Sequence, residues 1–191
     1  MATALALTSA LCAVLAPAAG ARVHHLNRRH GARRCADAHA RVTRTRRPVL
    51  QAAVVCLINV QRTQRGLPAL RENSRLNRSA QGWTNTMVRA GEFTHGANFA
   101  ARITAAGFAW SQAGENIAAG FPTPAAAVRA WMRSPGHCRN ILSPAFRDVG
   151  IGVSERRVAG ARRPGTWTQD FGLPMGAAPA SHNSSAENSC P

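Results

Sequence analysis

The chain contains no lysine, and only 8 acidic residues stand against 24 arginines, for a formal net charge of +16 at pH 7. An all-arginine, alanine-rich composition points to a GC-rich coding sequence, so part of the basic excess is a codon effect rather than the mark of a partner. The charge is also uneven: residues 22–47 hold nine arginines against one acid, Asp37. Beyond the N-terminus no stretch approaches ~18 consecutive apolar residues, so no later segment reads as a membrane span. The cysteines lack the close double spacing of a zinc knuckle. A convincing nucleophile is missing too. Ser134 lies three residues before His137, but no base or oxyanion hole can be located for it, and a serine at a helix end reads as local capping. Cys138 is adjacent to His137, and adjacent side chains rarely face each other, so a disulfide is its better use.

What is present begins with 21 residues free of charged side chains, with small residues at Ala19 and Ala21 before Arg22. This segment, 1–21, reads as a secretory signal peptide that lacks the usual positive start, with Cys12 inside its apolar run. Export to the extracellular space or cell envelope favours disulfides among Cys35, Cys56, Cys138 and Cys190, for which three pairings are open. Cys56 and Cys138 lie in apolar helical contexts, whereas Cys35 and Cys190 lie in segments that look unfolded. The expectation is therefore a Cys56–Cys138 bridge, closing a loop of about 80 residues and worth roughly 4 kcal/mol. Residues 22–47 have too few apolar side chains to offset ordering entropy and are expected to form a disordered arm. Such an arm is either a spacer or a tether for anionic polymers; no specific nucleic acid is expected.

Ordered structure is expected from Pro48 to residue 174, followed by a small, polar tail, 175–191. Ala53, Cys56, Leu57 and Val60 recur at helical spacing, and the run stops by Gly66. Asn73 or Ser74 caps a second helix with Leu76, Ala80, Trp83 and Met87 on one stripe, ending at Gly91. A loop then presents His95, and a short helix covers about 98–106. Gly114 to Ala118 reads as extended, and Thr123-Pro124 caps a fourth helix with Ala127, Val128 and Trp131 inward. Pro135-Gly136 interrupts that helix directly before His137. Val149 to Val153 is a strand with glycines at alternate positions, so something packs closely on it. A loop over 156–165 leads to a returning strand, 166–171. The class is α+β, with helices covering a small antiparallel sheet.

In this order, Leu57-Ile-Asn-Val-Gln-Arg62, Gly66-Leu-Pro-Ala-Leu70, Phe93-Thr-His95, Gly114-Glu-Asn-Ile117, Trp131-Met-Arg-Ser-Pro-Gly-His137, Asn140-Ile-Leu142, Val149-Gly-Ile-Gly-Val153 and Trp167-Thr-Gln169 resemble the CAP superfamily, and most closely its bacterial secreted SCP-domain branch. The resemblance covers residues 48–174 and implies an α-β-α sandwich. It implies a central cleft with His95, Glu115, His137 and Gln169 on its walls. Family members can hold a divalent metal such as zinc there, with His95 and His137 as this chain's ligand candidates. The chain departs from the family at two positions. A second cleft glutamate would fall near Ser134, and a later histidine near Trp167. Two neutral imidazoles and a carboxylate could still form a three-ligand site with an open position for water.

The reading that follows is a secreted, monomeric, non-catalytic binding or structural module, with a lipid, glycan or cell-wall polymer as ligand. The alternative is a metal-dependent hydrolase of peptide or cell-wall bonds using His95, Glu115 and His137.

Overall fold

A computed structural model describes residues 35–179 and 184–191. The expected signal peptide and residues 22–34 of the basic stretch lie outside the described residues. The elements are α1 (Arg47–Thr63), β1 (Arg71–Glu72), α2 (Ser74–Ala90), α3 (Phe99–Ala105), β2 (Trp110–Ala119), α4 (Pro124–Met132), α5 (Pro135–Leu142), β3 (Asp148–Ser154) and β4 (Thr166–Pro174), then a short 3-10 helix, Ser184–Ser189.

Local signals set the helix ends. Asn73 accepts a hydrogen bond from the Arg75 amide at 2.9 Å, and Gly91 closes α2 in the left-handed conformation at φ 71°. Asn98 and Thr123 cap α3 and α4 in the same way. Pro135 does more than end α4. It occupies the first turn of α5, where its missing N–H is no loss, so the Pro-Gly pair opens a new helix and carries His137 in its first turn.

The sheet order is β1-β3-β4-β2. β3 and β4 form an antiparallel hairpin, and β2 pairs antiparallel with β4. The expected all-antiparallel sheet needs one correction, because β1 runs parallel to β3. The connector leaving α1 delivers only two residues to the sheet, with the Asn73 amide bonded to the Val149 carbonyl at 2.9 Å.

Strand alternation divides the side chains between two helical layers. One face carries Val149, Ile151, Val153, Trp167 and Phe171, packed with Leu50, Val54, Ile58, Val128, Trp131 and Ile141 of α1, α4 and α5. The other face meets α2 and α3. There Gly150 and Gly152 lie so close to the α2 backbone at Leu76, Asn77 and Ala80 that a Cβ at either would collide with it. α2 is thus the close neighbour expected from the alternating glycines.

Side chains cover part of both edges of the sheet. Beyond β1, Ile151 and Val153 of β3 direct their backbone groups to Asn77 and Gln81 of α2 and Gln51 of α1, at 2.6–3.1 Å. On the outer edge of β2, Asn140 donates to the Glu115 carbonyl at 3.2 Å and Trp131 to the Ile117 carbonyl at 3.1 Å. These bonds satisfy backbone groups that an edge strand would otherwise offer to another chain.

The expected Cys56–Cys138 bridge does not form. The disulfides are Cys35–Cys56 and Cys138–Cys190. Cys56 lies on the flank of α1 that receives Cys35, Ala38 and Val42, which are buried even though the arginines around them are exposed. The Val42 amide donates to the Pro122 carbonyl at 3.1 Å and the Ala125 amide to the Ala38 carbonyl at 2.8 Å, so the arm is packed from Cys35 onward. Cys190 likewise ties the C-terminal segment to α5. Composition hid both segments, because a few buried side chains and one crosslink can hold a stretch that is otherwise polar.

Candidate functional site

His95, Glu115 and Arg102 meet at the β2 edge of the sheet, on the α2–α3 side. The loop bearing His95 is anchored to α2 by Trp83, whose Nε1 donates to the Thr94 carbonyl at 2.9 Å. Gly96, at φ 68°, lets the chain turn against that indole, where a Cβ would lie 2.7 Å from a ring carbon. Glu115 projects from β2 with only 1 % of its side chain exposed, and both of its oxygens are engaged. Oε1 accepts from His95 Nδ1 at 2.8 Å, and Oε2 accepts from Arg102 Nη2 at 2.5 Å. An acceptor-only carboxylate requires the proton on Nδ1, which leaves His95 Nε2 on the outward side of a ring that is 48 % exposed.

Arg102 was not anticipated from the sequence. It stands 3.9 Å over the Trp83 ring and also donates to the His95 carbonyl at 3.0 Å. One guanidinium therefore joins α2, the His95 loop and β2. Among 24 arginines without a distinguishing motif, nothing in the chain marked this one out.

Asp170 is the second group that sequence reasoning missed. It stands opposite Glu115 in the β2–β4 register and on the same face, fully buried. Among the described residues neither of its oxygens has a hydrogen-bond partner, nor does Ser79 Oγ above it. Burial is the main cause that pushes the Asp170 carboxyl up to about 8; the Glu115 charge adds to the rise, while Ser79 and Arg102 oppose it. At neutral pH it is therefore mostly a neutral acid. Alternation along Thr166-Trp-Thr-Gln-Asp170 was the signal that could have placed it beside Glu115.

His137 lies half-buried in the first turn of α5. Burial lowers its pKa below the usual histidine value, and the nearby His95 lowers it further. Gln169 is placed differently from the other expected cleft residues. It pairs with Asn116, one residue along from Glu115, so its side chain points to the opposite face. It is fully buried there, and its Oε1 accepts from Asn116 Nδ2 at 3.0 Å. Asn116 Nδ2 also donates to the His137 carbonyl at 3.1 Å, and Asn116 Oδ1 accepts from Asn140 at 2.8 Å. This amide chain fixes α5, and with it His137, against β2. Ser134 is the residue before α5 and makes no side-chain capping bond, and Cys138 is committed to its disulfide.

The side chains present do not fit a metal ion. Among the described residues no three His, Cys, Asp or Glu side chains come together as ligands. Glu115 already spends both oxygens, one of them on the fixed positive charge of Arg102. A cation would have to displace that guanidinium.

Two helical layers around a four-stranded mixed sheet, with an imidazole–carboxylate pair at its edge, define an α-β-α sandwich. The model of the cysteine-rich secretory protein (CAP) family matches residues 55–171, and the chain belongs to that family. It is 37 % identical over 123 residues to the uncharacterized protein YkwD of Bacillus subtilis, covering 62 % of this chain and 45 % of that protein. It is 29 % identical over 107 residues to the uncharacterized membrane protein YlbC of the same organism, covering 54 % and 31 %. The chain thus spans less than half the length of these curated relatives.

Among solved structures, an extracellular SCP-domain protein from Bacillus anthracis superposes with a TM-score of 0.58 at 24 % identity, over 67 % of this chain and 44 % of that one. An outer surface protein of Borrelia burgdorferi gives 0.55 at 19 %, over 62 % and 87 %. Both likenesses bear on the fold alone. No helix among the described residues is long and apolar enough to cross a membrane.

Proposed function

We propose that this CAP domain is exported and acts outside the cytoplasm or at the envelope as a monomeric, non-catalytic binding module. Its recognition face is formed by His95 and His137, with Glu115 and Arg102 behind them. Export is supported by the uncharged N-terminal segment and by two disulfides, which persist in oxidising compartments. The observation that carries the non-catalytic reading is the saturation of Glu115 by His95 and Arg102. A carboxylate held in two bonds at 1 % exposure is poorly placed to serve as a base or as a metal ligand. The ligand classes in keeping with this face and location are a lipid headgroup, a glycan or a cell-wall polymer.

The test uses the disulfide-intact chain and its His95→Ala variant. Metal content, thermal melting with and without zinc, and turnover of peptide and cell-wall substrates would be measured. A binding module purifies without stoichiometric zinc, melts at the same temperature with zinc added, and turns nothing over. Stoichiometric zinc that disappears in His95→Ala, together with zinc-dependent hydrolysis, would instead establish a metal-dependent hydrolase built on His95, His137 and Glu115.

A further inference from the structure

A concave surface outside the His95 face lies at the other end of β2. Two adjoining clefts of about 570 and about 520 Å³ share Pro122, Thr123 and Arg163. Their charged lining is Arg41, Arg129, Arg162 and Arg163, with His39 beside them, and no acidic residue contributes. All four arginines are exposed, and they come from three separate parts of the chain: the 35–46 segment, α4 and the β3–β4 loop. The ion pairs among the described residues are those of Arg71, Arg102 and His95, so none of these four is neutralised by a carboxylate.

The walls are held in place. The Gly120 amide donates to the Gly165 carbonyl at 2.8 Å, and Trp167 Nε1 donates to the Phe121 carbonyl at 2.8 Å. Gly165, at φ 102°, passes so close to Phe121 that any side chain there would collide. The Val42–Pro122 and Ala38–Ala125 bonds fix the third wall, which Cys35–Cys56 anchors to α1. The Ala125 to Ala127 amides at the start of α4 are already bonded to Ala38 and Thr123, so attraction for an anion rests on the guanidinium groups.

From this placement we propose that the groove binds a linear polyanion whose phosphate groups repeat along a flexible chain. Like charges gathered on a pre-formed surface repel one another until counter-charge arrives, and the guanidinium fork matches phosphate oxygens in pairs. Two adjoining clefts with four guanidinium groups call for successive anionic groups rather than a single ion. Besides the arginines, Thr123 and His39 are the polar side chains of the lining, which leaves little to recognise sugar hydroxyls of a carboxylated glycan. Phe121 is partly packed into the core and His39 is the one exposed ring, so successive bases would find no row of aromatic side chains to stack on. None of His95, Arg102, Glu115 and His137 lines the groove, and its arginines take no part in the zinc test above.

The experiment titrates the full disulfide-intact chain with linear polyphosphate, reading binding by calorimetry across a salt series. The triple variant Arg129→Gln/Arg162→Gln/Arg163→Gln is compared with Arg75→Gln/Arg89→Gln/Arg139→Gln, which removes the same charge elsewhere. All six side chains are exposed, so both variants should keep the wild-type melting temperature. The groove variant is expected to bind on the order of 30-fold more weakly at about 0.1 M salt. Its log affinity should also fall less steeply with log salt, by roughly two in slope. The control should change by about threefold or less. Equal losses in both variants, or no binding by the wild-type chain, would overturn the site. Equal affinity for polyglutamate of matched charge would overturn the phosphate preference. Tighter binding of single-stranded DNA than of polyphosphate would assign the groove to nucleic acid instead.

Discussion

Glu115 and Asp170 stand opposite each other on one face of the sheet, yet only Glu115 has partners for its carboxyl oxygens. The difference follows from position. Glu115 is on the edge strand, within reach of the His95 loop and α3, while Asp170 is one strand further in, under α2. One carboxyl is therefore held in two hydrogen bonds, while the other is buried beneath Ser79 without one among the described residues.

Asp170 makes stability fall as pH rises. Its carboxyl is raised to about 8 in the folded chain, against about 3.9 when unfolded. Between those values the native state binds the extra proton, so this contribution is fully present below about pH 4 and lost through pH 8. Urea denaturation at pH 5 and pH 8 should show the wild-type chain weaker at the higher pH, with Asp170→Asn reducing that difference. An equal pH dependence in both proteins would contradict the assignment.

Arg102→Met should destabilise the fold by about 3 kcal/mol, because it strips the buried Glu115 of its cationic partner. Glu115→Gln in the same background should recover part of the loss, since the unpaired charge is then gone. Chemical denaturation of the two single variants and the double gives the coupling directly. Simple additivity would mean that the pair contributes nothing beyond its packing.

Among the described residues no carboxylate pairs with Arg62, a fully buried cation. Its guanidinium donates to the carbonyls of Pro68, Ile141 and Ser143 at 2.7–2.9 Å, holding the end of α5 to α1. Burial is the main cause that lowers its pKa to about 10, with Arg147 adding to it, so it stays charged at neutral pH. Arg62→Ala should cost about 3 kcal/mol or more, through three orphaned acceptors and a cavity. Arg62→Lys keeps the charge but not the planar fork and should recover less than half of that loss. Full recovery by lysine would show that charge alone matters there.

Peptide mapping under non-reducing conditions should find Cys35 with Cys56 and Cys138 with Cys190. Cys190→Ser should lower stability by up to about 4 kcal/mol, and Cys35→Ser by up to about 3. A crosslinked Cys56–Cys138 peptide would refute this connectivity.

Much of the fold was legible in the chain. Asn73 and Gly91 bound α2, Thr123-Pro124 opens α4, and the glycines at 150 and 152 announce a close neighbour, because each of these signals acts within a few residues. His95 and Glu115 were put on one cleft by the family resemblance of their motifs, and in the structure the two side chains lie 2.8 Å apart. The rest depends on contacts between distant segments. Gln169 was expected on the cleft wall with Glu115, but the strand register places it on the other face beside Asn116.

The sequence by itself determined the first four helices, the three longer strands and the family, since periodicity, caps and ordered motifs are local properties of a chain. Tertiary structure alone decided that Arg102 holds Glu115, that Asp170 is left unpaired beside it, and which cysteines join. It also gathered Arg41, Arg129, Arg162 and Arg163 around one groove. Each of these is a pairing across the sheet or between layers, and linear spacing carries no information about which distant groups packing will bring within a few ångströms.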